Sequence, residues 1–241
     1  MPNSIIGNHL KIFIQSDEPT SWIASRKPYA WAKIVGVDEQ IYLSLQNKKI
    51  DRDYLKQLCA DTNFSAEQCF LSIMAWGGMK VPHGKLAWQA REGWIGIVRA
   101  LRDGTLTRRD AYDRFWQFRK ENPRCGMGPA FYTKLIFFAH PQHDGYIMDQ
   151  WTALSVNLLK DNGLGSKIVQ LTPGVFKKYR FDVVNDRNTP DDYEQFCQAI
   201  ESIAKETGLT PEMVEERMFS QGGRNPGQWR QYVKNNRPPL K

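Results

Sequence analysis

Cysteine is scarce in this sequence, and what there is lies scattered. Cys59, Cys69, Cys125 and Cys197 are the four in 241 residues, and no two sit at the short paired spacing that zinc sites and iron–sulfur clusters use. They read as free thiols of a reducing compartment, with no metal ion bound. A run of about eighteen apolar residues, the least that spans a bilayer, is also missing. The start MPNSIIGNHLKIF lacks the basic stretch and long apolar core of a secretion signal, so a cytoplasmic location is expected. There is no internal repeat and no low-complexity segment. What remains is an ordinary globular composition, 41% hydrophobic and 24% charged, suited to one domain or two packed lobes. The 33 Lys and Arg against 26 Asp and Glu give a net charge of +7 and a pI near 9.2. That balance favours a polyanionic partner, although many basic proteins bind no nucleic acid.

Residues 1–50 carry the weakest pattern. His9 to Gln15 and Ile34 to Leu45 hold alternating or β-branched apolar residues, with Asp38 and Glu39 as a turn, which predicts a short strand pair. Trp22, Tyr29 and Trp31 read as packing residues. From Asp51 the apolar period becomes helical. Tyr54, Leu55 and Leu58 form a stripe over 51–61, and Ser65 caps a helix over 66–76 that ends at Gly77 and Gly78. The stretch 77–85, between Trp76 and Trp88, reads as a flexible basic loop, either a connection or a contact to a partner. Helices follow over 93–102 and 108–121. The second of these starts from a loose capping box at Thr107 and Asp110. It buries Ala111, Phe115 and Phe118 and turns Arg108, Arg109, Arg114, Arg119 and Lys120 outward; Arg124 extends that basic face. Beyond 162–180, a Gly- and Lys-containing connection, Pro190 opens a long helix and Thr210 caps another to Phe219. The end, 226–241, is basic and rich in Gly and Pro, and reads as a mobile tail.

Three signals gather between Asn122 and Trp151. Gly126-Met127-Gly128 suits a tight turn needing positive φ or close approach, and Pro129 suits the first helical position after it. Such a turn leaves amide N–H groups free at a helix N-terminus, where phosphate binds well. In the helix that follows, Ala130, Lys134 and Phe137 share one face and Phe131, Leu135 and Phe138 another. After His140 and Pro141 comes a polar loop, then Tyr146-Ile147-Met148, then Asp149 at the N-cap of a helix expected to end at Asn162-Gly163.

On these residues, Gly126-Met127-Gly128, the helix 129–139 and Asp149 followed by Trp151, the sequence resembles the helix-hairpin-helix DNA glycosylases, and most the 8-oxoguanine DNA glycosylase branch. The resemblance implies a mainly α fold: a small N-terminal addition over 1–50, a helical glycosylase-like domain over 51–225 and the tail over 226–241. It implies double-stranded DNA with a damaged or modified base as partner, a monomer in the cytoplasm or on the bacterial nucleoid, and no cofactor. The cysteine spacing speaks against the iron–sulfur cluster that some relatives carry. Many bifunctional members place a catalytic lysine two residues after the second hairpin glycine, where this chain has Ala130. Lys134 lies one turn further along the same face, and an archaeal branch carries its lysine at a comparable place.

The roles implied are these. Arg124, Gly126, Met127 and Gly128 contact DNA, Asp149 stabilises positive charge on the sugar or activates a nucleophile, and Lys134 forms a Schiff base that permits strand cleavage. Phe131, Gln150, Trp151 and Trp76 are the base-pocket candidates, and each also suits the core. Asp149 has a plain alternative as an N-cap, and Lys134 as a phosphate contact. Ala130 leaves room for a non-catalytic helix-hairpin-helix DNA-binding subunit. Relatives of this branch also serve as accessory proteins in bacterial anti-phage systems.

Overall fold

Six of the helix starts are fixed by a short polar side chain. In a computed structural model, which describes residues 7–16, 26–160, 167–176, 179–221 and 225–236, Asp51, Ser65, Thr107, Asp149, Thr189 and Thr210 each accept from backbone amides of the turn they open. Each such cap contributes roughly 1 kcal/mol relative to alanine. Among the described residues there are thirteen α-helices and one two-stranded sheet, so the fold is mainly α and glycosylase-like. The chain forms two compact units, 21–146 and 1–20 with 147–241.

The first unit holds helices α2 (Pro28–Val35), α3 (Glu39–Leu43), α4 (Arg52–Ala60), α5 (Ala66–Trp76), α6 (Val81–Gln89), α7 (Arg91–Arg102), α8 (Arg108–Glu121) and α9 (Pro129–Ala139). α9 packs on α4, α5, α7 and α8, and all of its residues from Tyr132 onward are buried. Aromatic pairs fill this core: Phe70 stacks on Trp94 with centroids 3.9 Å apart, and Tyr132 stacks on Phe115 at 5.5 Å. Arg102 of α7 donates to the carbonyls of Cys59, Asp61 and Phe64, closing the α4–α5 connection.

The second unit is built on α10 (Gln150–Leu159), buried from Thr152 to its end and packed by α1 (Gly7–Gln15), α11 (Pro190–Thr207), α12 (Pro211–Phe219) and α13 (Gln228–Asn236). Trp229 of α13 is fully buried, donates from Nε1 to Ser155 Oγ at 2.9 Å and meets Phe13 edge-on at 4.9 Å. An antiparallel hairpin of β1 (Leu171–Phe176) and β2 (Tyr179–Val184) leads into α11.

Several local expectations are corrected. The stretches read as strands are helices α1, α2 and α3. Trp31, Ala32 and Val35 are buried while Ile34 is exposed, which is a helical period, and Gly36 at φ +91° ends α2 where the pattern suggested continuous strand. The expected basic loop 77–85 contains most of the first two turns of α6. Its Gly84 is needed because a β-carbon there would stand 2.6 Å from a Trp31 ring carbon. Within the connection 162–180 lies β1, and the expected end of α10 at 162–163 falls outside the described residues. The segment read as a mobile tail contains α13, anchored by Trp229 and Val233; residues 237–241, like Trp22, lie outside the described residues.

Candidate functional site

The turn between α8 and α9 is held from within and left open outside. Asn122 closes α8 by donating to Phe118 O, and its own carbonyl accepts from Cys125 N at 3.0 Å. The Cys125 thiol contacts Met127 O at 3.6 Å, and Arg119 donates to Pro123 O. Gly126 has φ +74°, and a β-carbon there would lie 2.3 Å from His83 O and 3.0 Å from Ala87 N, so the turn rests directly on the backbone of α6. Only glycine meets both demands. Gly128 then occupies the N-cap of α9 with extended backbone and no side chain to accept. Among the described residues the amides of Gly126, Met127, Gly128 and Ala130 donate no hydrogen bond, and the first turn of α9 has no acidic residue. The result is a cluster of donors at the positive end of a helix dipole. Arg124 is exposed beside it, whereas the Met127 side chain is 2% exposed, so Met127 offers a ligand its amide only.

One turn into α9, Lys134 is 7% exposed. Its stem lies back along the helix, so that Nζ donates to Ala130 O at 2.6 Å and sits 5.7 Å from the Phe131 ring centre. The amine of Lys134 therefore reaches the turn that carries Ala130. Of the base-pocket candidates in this unit, Phe131 is half-buried and Trp76 is buried edge-on to Phe138, with the Arg52 guanidinium 5.6 Å from its ring centre. Trp76 Nε1 is buried and has no hydrogen-bond partner among the described residues. Two open clefts of about 610 and 430 Å³ share Gln89, Ala90 and Asn122 on the α8 side of the turn, and neither is lined by Phe131 or Trp76.

In the other unit, Asp149 is the N-cap of α10. Its Oδ1 accepts from Trp151 N at 2.8 Å and Thr152 N at 3.2 Å, while Thr152 Oγ1 accepts from Asp149 N at 2.9 Å. The same Thr152 hydroxyl donates to Ile147 O at 2.7 Å, fixing the segment that leads into the cap. Oδ2 accepts no hydrogen bond among the described residues, and Asp149 and Gln150 are half-buried. Trp151 lies under two cations of α13, Arg230 at 4.4 Å and Lys234 at 5.6 Å from its ring centre. Arg230 is 6% exposed and donates to the carbonyls of Phe219 and Ser220 at the end of α12. Burial lowers its pKa to about 10, against the pull of the Asp149 charge, and it remains a cation at neutral pH.

Arg230 and Lys234 were missed in the sequence because their segment read as a tail. The available signal was the spacing Trp229–Val233, which marks a buried helix face and places the cations on a helix. Among the described residues no group of three or more His, Cys, Asp or Glu could hold a metal ion, the four cysteines are buried and free, and no helix is long and apolar enough to cross a membrane.

Comparison with known proteins accords with this architecture. The sequence model of a family described as "Putative 8-oxoguanine DNA glycosylase OGG-like protein" matches residues 16–219. Neither a curated protein nor a solved structure matches the chain. With 204 of its 241 residues inside that match (16 to 219 inclusive), the chain belongs to the OGG-like 8-oxoguanine DNA glycosylase family.

Proposed function

We propose that the protein is a DNA glycosylase that excises 8-oxoguanine from duplex DNA and cleaves the strand through Lys134. The observation that carries this reading is the placement of Lys134: a lysine buried to 7% exposure, with its amine turned back 2.6 Å from the carbonyl of Ala130. A lysine serving only solubility extends into water, and holding an amine inside a helical core costs desolvation that a nucleophile's role explains. The chain's departure from the pattern of many bifunctional members at Ala130 is then one of sequence position, because the longer path from Lys134 delivers an amine to the same turn.

The free amides at 126–128, with Arg124, anchor a phosphate without reading sequence. Extruding the base costs roughly a few kcal/mol, which that anchoring and the pocket contacts offset. Phe131, Trp76, Gln150 and Trp151 are proposed for stacking and edge contacts. As the glycosidic bond breaks, its electron pair leaves with the base, which takes up a proton, and positive charge grows on the sugar. A carboxylate with a free oxygen, Asp149 Oδ2, stabilises that charge. The deprotonated Lys134 amine bonds to the sugar carbon and gives up one proton, matching the one the departing base takes up; the nitrogen lone pair then breaks the bond to the ring oxygen, which takes that electron pair and a proton from water, and a protonated imine remains. Loss of the neighbouring carbon's proton then expels the 3′ phosphate and breaks the strand.

The test is borohydride trapping on a duplex containing 8-oxoguanine, with base release and strand breaks followed in parallel. The wild type should give a covalent adduct and Lys134→Gln none. An undiminished adduct from Lys134→Gln removes the lysine from this role. Base release without any adduct assigns a monofunctional enzyme using water and Asp149. Salt-sensitive DNA binding with no release across a panel of damaged bases assigns a DNA-binding subunit instead.

A further inference from the structure

Helix α5 ends in two glycines that are there for different reasons. Gly78 has φ +70°, which favours glycine on conformational grounds alone. Gly77 has φ −72° and ψ 1°, a conformation any residue adopts, and its amide donates to Ile73 O at 2.8 Å to complete the helix. Its backbone therefore gives no reason for glycine.

The reason lies across the core on α9. A β-carbon at Gly77 would stand 2.8 Å from Lys134 Cδ and 3.1 Å from Cε, the two methylenes next to the amine, and 3.2 Å from Ile73 O. We propose that Gly77 is a positioning residue for Lys134: its missing side chain forms the slot through which the lysine stem runs to reach the Ala130 carbonyl. The inference rests on the reading of Lys134 as the nucleophile. A lysine stem bends at little energetic cost, so a methyl group at Gly77 displaces the amine rather than unfolding the helix. A displacement of about 1 Å in a reacting group costs about 10²-fold in rate.

Stability and chemistry should then move apart in Gly77→Ala. Its melting temperature should equal or exceed the wild type's, because replacing glycine by alanine at a compatible φ removes freedom from the unfolded chain. Its affinity for duplex DNA should be unchanged, and the rate of borohydride-trapped adduct formation should fall by about 10²-fold. Gly77→Ser should lose at least as much. In a Lys134→Gln background, alanine at 77 should leave any residual base release unaltered. An adduct rate within twofold of wild type in Gly77→Ala, while Lys134→Gln gives no adduct, overturns the slot and leaves the nucleophile standing. A lowered melting temperature with matching loss of DNA binding also overturns it, since glycine would then serve the fold. If Lys134→Gln itself keeps the adduct, the underlying reading has failed instead.

Discussion

Helices α9 and α10 begin in opposite ways. α9 opens on Gly128, which offers no side-chain acceptor, and among the described residues the amides of Gly128 and Ala130 stay unspent; α10 opens on Asp149, whose Oδ1 takes two amides and whose Oδ2 is left over. One end presents positive dipoles and the other a negative oxygen. The contrast turns on one side chain at one position. A helix N-terminus becomes an anion site or a carboxylate site according to whether its cap residue carries its own acceptor.

Substitutions at these caps break or sharpen the contrast. The largest effect is expected from Asp149→Asn, where the amide oxygen still caps but an uncharged NH2 replaces the free carboxylate oxygen: single-turnover base release should fall by roughly 10²–10³-fold. Its thermal stability should hold close to wild type, since Asn caps as well as Asp, whereas Asp149→Ala should lose a further ~1 kcal/mol in a denaturant melt. Equal activity in Asp149→Asn and the wild type would reduce Asp149 to a cap. Next comes Gly126→Ala, which places a side chain at φ +74° and against His83 O. A destabilisation of about 1–3 kcal/mol is expected from the strain, together with weaker DNA binding by fluorescence anisotropy. A smaller change in stability than that of Gly126→Ala should come from Gly128→Asp, which gives α9 the kind of start α10 has. At an extended cap this should stabilise by a few tenths of a kcal/mol. DNA affinity should nevertheless fall, with a shallower salt dependence. Affinity that survives this swap would locate phosphate binding away from the turn.

Both helix starts were legible in the sequence, and other parts of the chain were not. The turn 126–128, helix α9 and the Asp149 cap could be read because each rests on local chemistry: a glycine at positive φ, a proline at the first position, an Asp whose side chain reaches its own following amides. What escaped was decided by contacts distant in sequence. α6 carries Gly84, a poor helix former in its interior, and Trp31 and Val35 fill the space over it. α13 follows a Gly- and Pro-rich run and is helical because Trp229 is buried against Phe13 and bonded to Ser155. The Arg230 contact with Trp151 and the path of the Lys134 stem past Gly77 depend on the same kind of packing, which no periodicity encodes.

The Asp149 cap also bears on entropy. A carboxylate on a free side chain spins about its last bond and presents either oxygen in any direction. Here two backbone amides grip Oδ1, and Thr152, itself tied to Ile147, grips the Asp149 amide. The torsion is locked when the helix forms. Oδ2 thus points along a single fixed line, and in the role proposed for Asp149 the loss of freedom needed to aim it belongs to folding rather than to the reaction step.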